Sequence, residues 1–93
     1  MAAPAFVTVT KGQAVKIATA VTVGVVRKVK PGSAGGRWLA TYVPTGDPAP
    51  AEADFRGGQI FLDGPAETIS SSEQIDVYVW LTGTKDGEVR VEA

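Results

Sequence analysis

The sequence contains no cysteine and no histidine in its 93 residues. Without cysteine there is no disulfide and no thiolate metal site, so the chain folds by packing alone and suits a reducing compartment. Without histidine, the commonest general base and the commonest metal ligand are both missing. Long apolar runs are missing too, and no window approaches the about eighteen residues of a membrane-spanning helix. The opening Met1-Ala2-Ala3-Pro4-Ala5-Phe6 has no basic lead, and Thr8, Thr10 and Lys11 interrupt the apolar stretch behind it, which argues against a secretory signal. Helix formers of the Leu-Glu-Lys type are sparse. A chain of this length makes one domain, expected over residues 1–93 with Met1–Ala5 as a short arm, and it buries roughly 60–68% of its unfolded surface.

What the sequence does have is Val and Thr in alternating runs, punctuated by Gly and Pro. The clearest run is C-terminal. Ile75, Val77, Val79 and Leu81 alternate with Asp76, Tyr78, Trp80 and Thr82, and Gly83-Thr84-Lys85-Asp86-Gly87 leads into Glu88–Glu92, so the stretch reads as a β-hairpin. Upstream, Phe6–Thr10 and Ala14–Ala18 read as strands, with Val7, Val9, Val15 and Ile17 inward. Val21–Val29 reads as a third strand, its odd positions Val21, Val23, Val25 and Val29 aliphatic while Thr22, Gly24 and Lys28 are not, with Gly24 as a candidate bulge. Lys30–Gly36 is a flexible hairpin loop by composition. In Arg37–Val43, Trp38, Ala40 and Tyr42 share one face. Pro44–Gly58 is long, irregular and proline-rich, with one helical turn allowed after Asp47. Gln59–Asp63 is a short strand, and a further edge strand is expected around Ile69. The expected fold is all-β: an antiparallel β-sandwich or small barrel of roughly six to eight short strands.

Catalytic chemistry finds little to stand on. Gly32-Ser33-Ala34-Gly35-Gly36-Arg37 lacks the Gly-Lys-Ser/Thr ending of a phosphate loop, and no helix follows it. The acids near turns, Asp47, Glu52, Asp54, Asp63, Glu67 and Glu73, match no metal-loop spacing and read as solvated turn residues. Ser70–Ser72 have no base to activate them. Arg27, Lys28, Lys30 and Arg37 make a small basic patch, but the balanced net charge of −1 speaks against nucleic acid as the main partner. No catalytic residue, cofactor or metal site is expected.

Two features point to protein contact instead. All six charged residues before Asp47 are cations, whereas from Asp47 onward ten acids face three cations. Interleaved strands would neutralise this asymmetry locally; a bipolar surface would steer subunits together. The aromatics are the second feature. Paired across strands they are ordinary core material. As anchors they would form an interface, and Phe6, Trp38, Tyr42, Tyr78 and Trp80 are the candidates, Tyr78 and Trp80 because the aliphatic face of their strand already satisfies the core.

The Phe6–Gly12 opening, the Gly-rich loop before Arg37-Trp38, the Pro/Asp/Ala-rich middle and the Ser70–Trp80 segment closing on Asp-Gly-Glu-Val-Arg-Val together resemble small structural proteins of tailed bacteriophages. The likeness runs over most of the chain. It implies a non-enzymatic virion component, made in the host cytoplasm, that decorates or cements the capsid or joins head and tail. The implied partners are the major capsid protein or another virion protein, with homo-oligomers in the assembly and neither membrane nor specific nucleic acid. On this reading Met1–Ala5 is an arm that adds to a neighbour's sheet edge. The alternative is a small Ig-like or carbohydrate-binding module in which exposed aromatics stack on sugar rings.

Overall fold

The computed structural model describes residues 5–56 and 59–92, except for the side chains of Arg56 and Gln59. Strands β1 (Ala5–Val9), β2 (Ala14–Lys30), β3 (Trp38–Pro44), β4 (Gln59–Ile60), β5 (Ala66–Leu81) and β6 (Gly87–Glu92) form one antiparallel sheet in the order β1-β6-β2-β5-β3-β4, and a single short helix, α1, covers Glu52–Arg56. Five of the strands are substantial, and β4 adds two residues at the edge. Of the expected arm, Met1–Pro4 lie outside the described residues, while Ala5 already pairs with Val91.

Alternation dictates the centre of the sheet. Ile75, Val77, Val79 and Leu81 of β5 are all buried, as the period of two requires, and they join Val9, Ile17, Val26, Trp38, Ile69, Val89 and Val91 in one core. That core is enclosed because β2 and β5, 17 and 16 residues long, bend and serve both halves of the molecule. The first half of β2 pairs with Ile75–Trp80. Its second half pairs with Ala66–Ser70 on one side and with β6 on the other. The bend in β2 lies between Lys16 and Val23, where the register shifts three times and Ala20 takes a left-handed φ of 53°.

Those shifts correct the expectations for this strand. Ala14–Ala18 and Val21–Val29 are one continuous strand, and Gly24 sits in regular register opposite Ile69 rather than in a bulge. Val21 is still buried, but beyond the last shift Val26 is fully buried while Val23 is 65% exposed, the reverse of the odd-position phase. The hairpin at the C-terminus is also corrected: β5 and β6 are consecutive in sequence but β2 lies between them, so their turn bridges two non-adjacent strands. The strand expected around Ile69 is simply the start of β5.

The Lys30–Gly36 loop likewise joins non-neighbours, β2 and β3, and it is docked rather than free. Thr82 N–H donates to the Arg37 carbonyl at 2.9 Å, Arg37 N–H to the Thr82 hydroxyl at 2.7 Å, and Thr84 N–H to the Ser33 hydroxyl at 3.1 Å. Under this seam the Trp38 indole lies flat against Gly87, where a Cβ would sit 2.6 Å from the ring, and its Nε1–H donates to the Pro31 carbonyl at 3.2 Å. Glycine at 87 is what admits the indole to the core.

Candidate functional site

The outer face of β5 carries Asp76, Tyr78 and Trp80. Register places Lys16 of β2 and Thr41 of β3 on either side of Tyr78, and Ala14 and Leu39 on either side of Trp80. The segment after β3 folds back over this face. Phe55 of α1 is buried, with its ring centroid 5.5 Å from that of Trp80 in a tilted arrangement. Beneath this cover the Thr41 hydroxyl is buried without a hydrogen-bond partner among the described residues.

Asp76 ties the cover to the bend. Only 2% exposed, its carboxylate accepts from Ala20 N–H at 2.9 Å and Gly46 N–H at 3.4 Å, and Lys16 Nζ stands 3.7 Å away. The Ala20 N–H is the largest influence on its acidity. Against the opposing effect of burial, and with help from Gly46, Lys16 and the Thr45 hydroxyl, it holds the carboxyl below the ordinary aspartate value. Lys16 also lies 5.7 Å above the Tyr78 ring. A second non-glycine residue with positive φ, Leu62 at 52°, is handled the same way: its N–H donates to the Glu67 carboxylate at 3.2 Å. Left-handed backbone costs on the order of 1–3 kcal/mol per residue, and here a carboxylate secures each instance.

The expected interface aromatics therefore separate. Trp38, 3% exposed, and Tyr78, 6% exposed, are buried within the chain. Tyr42 packs against the core, partly buried, and Trp80 is half-buried under Phe55. Phe6 alone stands out, 63% exposed on β1. There it lies opposite Arg90, whose guanidinium is held by Glu92 at 2.9 Å. Among the described residues β1 is an edge strand, paired with β6 alone.

A second exposed feature is a cleft of about 300 Å³ where the end of β2, the start of β3 and the residues after β4 meet. Lys28, Arg37 and Asp63 line it over a floor of Trp38, Ile60, Phe61 and Leu62. The sequence links Lys28 with Arg37 and Trp38 as a basic patch, but nothing in it brings Ile60–Asp63 to the same place. That requires Phe61 N–H to donate to the Trp38 carbonyl at 2.8 Å, a long-range contact no local pattern announces. The role of Asp76 is equally silent in sequence, since an acid on an alternating strand reads as solvated.

The charge asymmetry is partly neutralised by folding: Lys11 pairs with Asp86 at 3.8 Å and Lys16 with Asp76. Among the turn acids, Asp54 accepts from Ala51 N–H at 2.9 Å. Among the described residues no group of three or more acids gathers into a metal-binding cluster. No protein-family model, curated protein or solved structure matches the chain.

Proposed function

We propose that the chain is a non-enzymatic structural protein acting through protein contacts, of the kind that decorates or cements the head of a tailed phage, and that it resides in the virion. The observation that carries this reading is the β1 edge. An exposed edge strand invites another strand to pair, and stable monomers blunt such edges with charge, proline or a covering element. β1 reads Ala5-Phe6-Val7-Thr8-Val9, with no charge and no proline, and presents Phe6 to solvent. A strand from a capsid subunit or a neighbouring copy would complete the sheet there, main-chain hydrogen bonds supplying affinity and the Phe6 ring an anchor. In this reading the bent sheet is a small antiparallel sandwich whose two halves share β2 and β5.

The sugar-binding alternative needs exposed rings in a platform, whereas Trp38 and Tyr78 are buried and Tyr42 and Trp80 are half-buried. The experiment is co-sedimentation with capsids of the resembling phage class, comparing the wild-type chain with Phe6→Asp. The variant should keep its melting temperature, because the ring is mostly solvated, and should lose most of its capsid binding. Undiminished binding of a folded Phe6→Asp protein would remove the β1 edge from the argument.

A further inference from the structure

We infer that the occupant of the β1 edge is β1 of a second copy, paired antiparallel about a two-fold axis at Val7. This pairing rests on the β1-edge reading and deepens it, narrowing the partner strand to one of known sequence.

Parity limits the ways in which the strand can meet itself. Directly opposed residues of an antiparallel pair exchange both main-chain hydrogen bonds or neither, so on two identical strands each residue faces one of its own parity. A symmetric pairing is therefore centred on a residue. Centring on Phe6 or on Thr8 pairs three residues of β1 with one another. Centring on Val7 pairs all five: Ala5 with Val9, Phe6 with Thr8, and Val7 with its own copy.

Charge selects the same register. Phe6 and Thr8 are exposed on the outer face, whereas Val7 and Val9 pack on the core. Arg90 lies opposite Phe6 and Glu88 opposite Thr8, so with Val7 at the centre the outer row reads Arg90 and Phe6, then Thr8 and Glu88 of the second copy. Opposite charges end each row, three strand spacings or about 14 Å apart. A Phe6 centre would end its row on two arginines, and a Thr8 centre on two glutamates. Neither sign is cancelled within the chain. Arg27 stands opposite Arg90, so that end stays cationic although Glu92 holds the Arg90 guanidinium, and Glu88 forms no ion pair among the described residues.

The Val7 register also gives the exposed ring a place. The two Phe6 residues fall diagonally across the axis on one face, about 7–8 Å apart and within reach of aromatic side chains. On the inner face, Val89 and Val7 of one copy meet Val7 and Val89 of the other, so the apolar row runs unbroken through the seam. Such an isologous contact uses the same patch on both copies and closes at a dimer.

The test joins sedimentation equilibrium to cysteine cross-linking, which a cysteine-free sequence allows. Wild-type protein should form a concentration-dependent dimer and nothing larger, and Phe6→Asp should weaken it at least about tenfold. Under copper–phenanthroline oxidation Val7→Cys should cross-link, because it faces its own copy at about 4.5–5.5 Å, whereas the more exposed Thr8→Cys, about 7–8 Å from its copy, should not. Circular dichroism checks that each variant folds. If Val7→Cys does not, Phe6→Cys mixed with Thr8→Cys gives the same answer, since those two positions oppose each other. A wild-type protein that stays monomeric up to about 1 mM, open-ended growth, or cross-linking through Thr8→Cys in place of Val7→Cys would overturn the inference. Capsid pelleting keeps the two proposals apart. Phe6-dependent pelleting of a protein that never dimerises sinks the self-pairing and spares the structural-protein reading, whereas a dimer in this register that ignores capsids does the reverse.

Discussion

Phe55→Ala tests whether the segment after β3 is a true part of the fold. Phe55 is almost fully buried and is the one aromatic that α1 lays on the outer face of β5, against Trp80. Burying a phenyl ring contributes about 1.5–3 kcal/mol. Its tilted contact with the indole adds roughly 0.5–1.5 kcal/mol. Truncation should therefore cost about 2–4 kcal/mol, at or a little under the range for interior Phe→Ala changes, because a surface segment can peel away where a closed core would keep a cavity. For a domain of this size that lowers the melting temperature by roughly 10–30 °C. Urea unfolding followed by circular dichroism gives the free energy, and tryptophan emission with acrylamide quenching gives the location. Trp38 stays enclosed, so a red shift and new quenching must come from Trp80. A loss below about 1 kcal/mol with unchanged emission would refute the reasoning and return Tyr78 and Trp80 to solvent.

Two further substitutions probe the same face. The depressed Asp76 carboxyl contributes stability that is fully present above the unfolded aspartate pKa of about 3.9 and is lost as pH falls through the lower folded value. Asp76→Asn should therefore melt earlier than wild type at pH 7 but lose less on acidification below pH 4; melting curves that run parallel across that window would contradict it. Thr41→Val replaces a buried hydroxyl without a partner by a methyl of similar shape, so it should be neutral or stabilise by up to about 1 kcal/mol, and clear destabilisation in urea titrations would mean that the hydroxyl does have a partner.

How much of this was legible beforehand follows from the range of each interaction. Period-two alternation placed Ile75, Val77, Val79 and Leu81 correctly because it is a property of a single strand. Pairing is not local. The short turn from Leu81 to Gly87 invites a hairpin, and only the topology reveals that β2 intervenes. In β2 the buried face changes parity between Val21 and Val23, at the last of the register shifts, and no glycine marks the bend, where Ala20 takes the left-handed conformation. Tyr78 and Trp80 looked available because the sequence supplies no signal that a five-residue helix in a proline-rich stretch returns to cover them. At the cleft, Lys28, Arg37 and Trp38 were within sight of one another in sequence, and Ile60–Asp63 were not.

The pairing of β1 with β6 has a consequence for biosynthesis. Ala5 lies opposite Val91 and Val9 opposite Gly87, so β1 leaves the ribosome some eighty residues before the strand it pairs with and waits for it. β2 waits as well, since its second half needs both β5 and β6. Domains usually mature as whole units, and here almost no subset of strands is self-sufficient. While translation is under way, Phe6 and its apolar strand stay unsheltered and within reach of a chaperone or a sister chain on the same message. Synthesis of β6 is then the event that decides between folding and premature association, and a chain cut short of β6 yields no weakened protein but an uncommitted one.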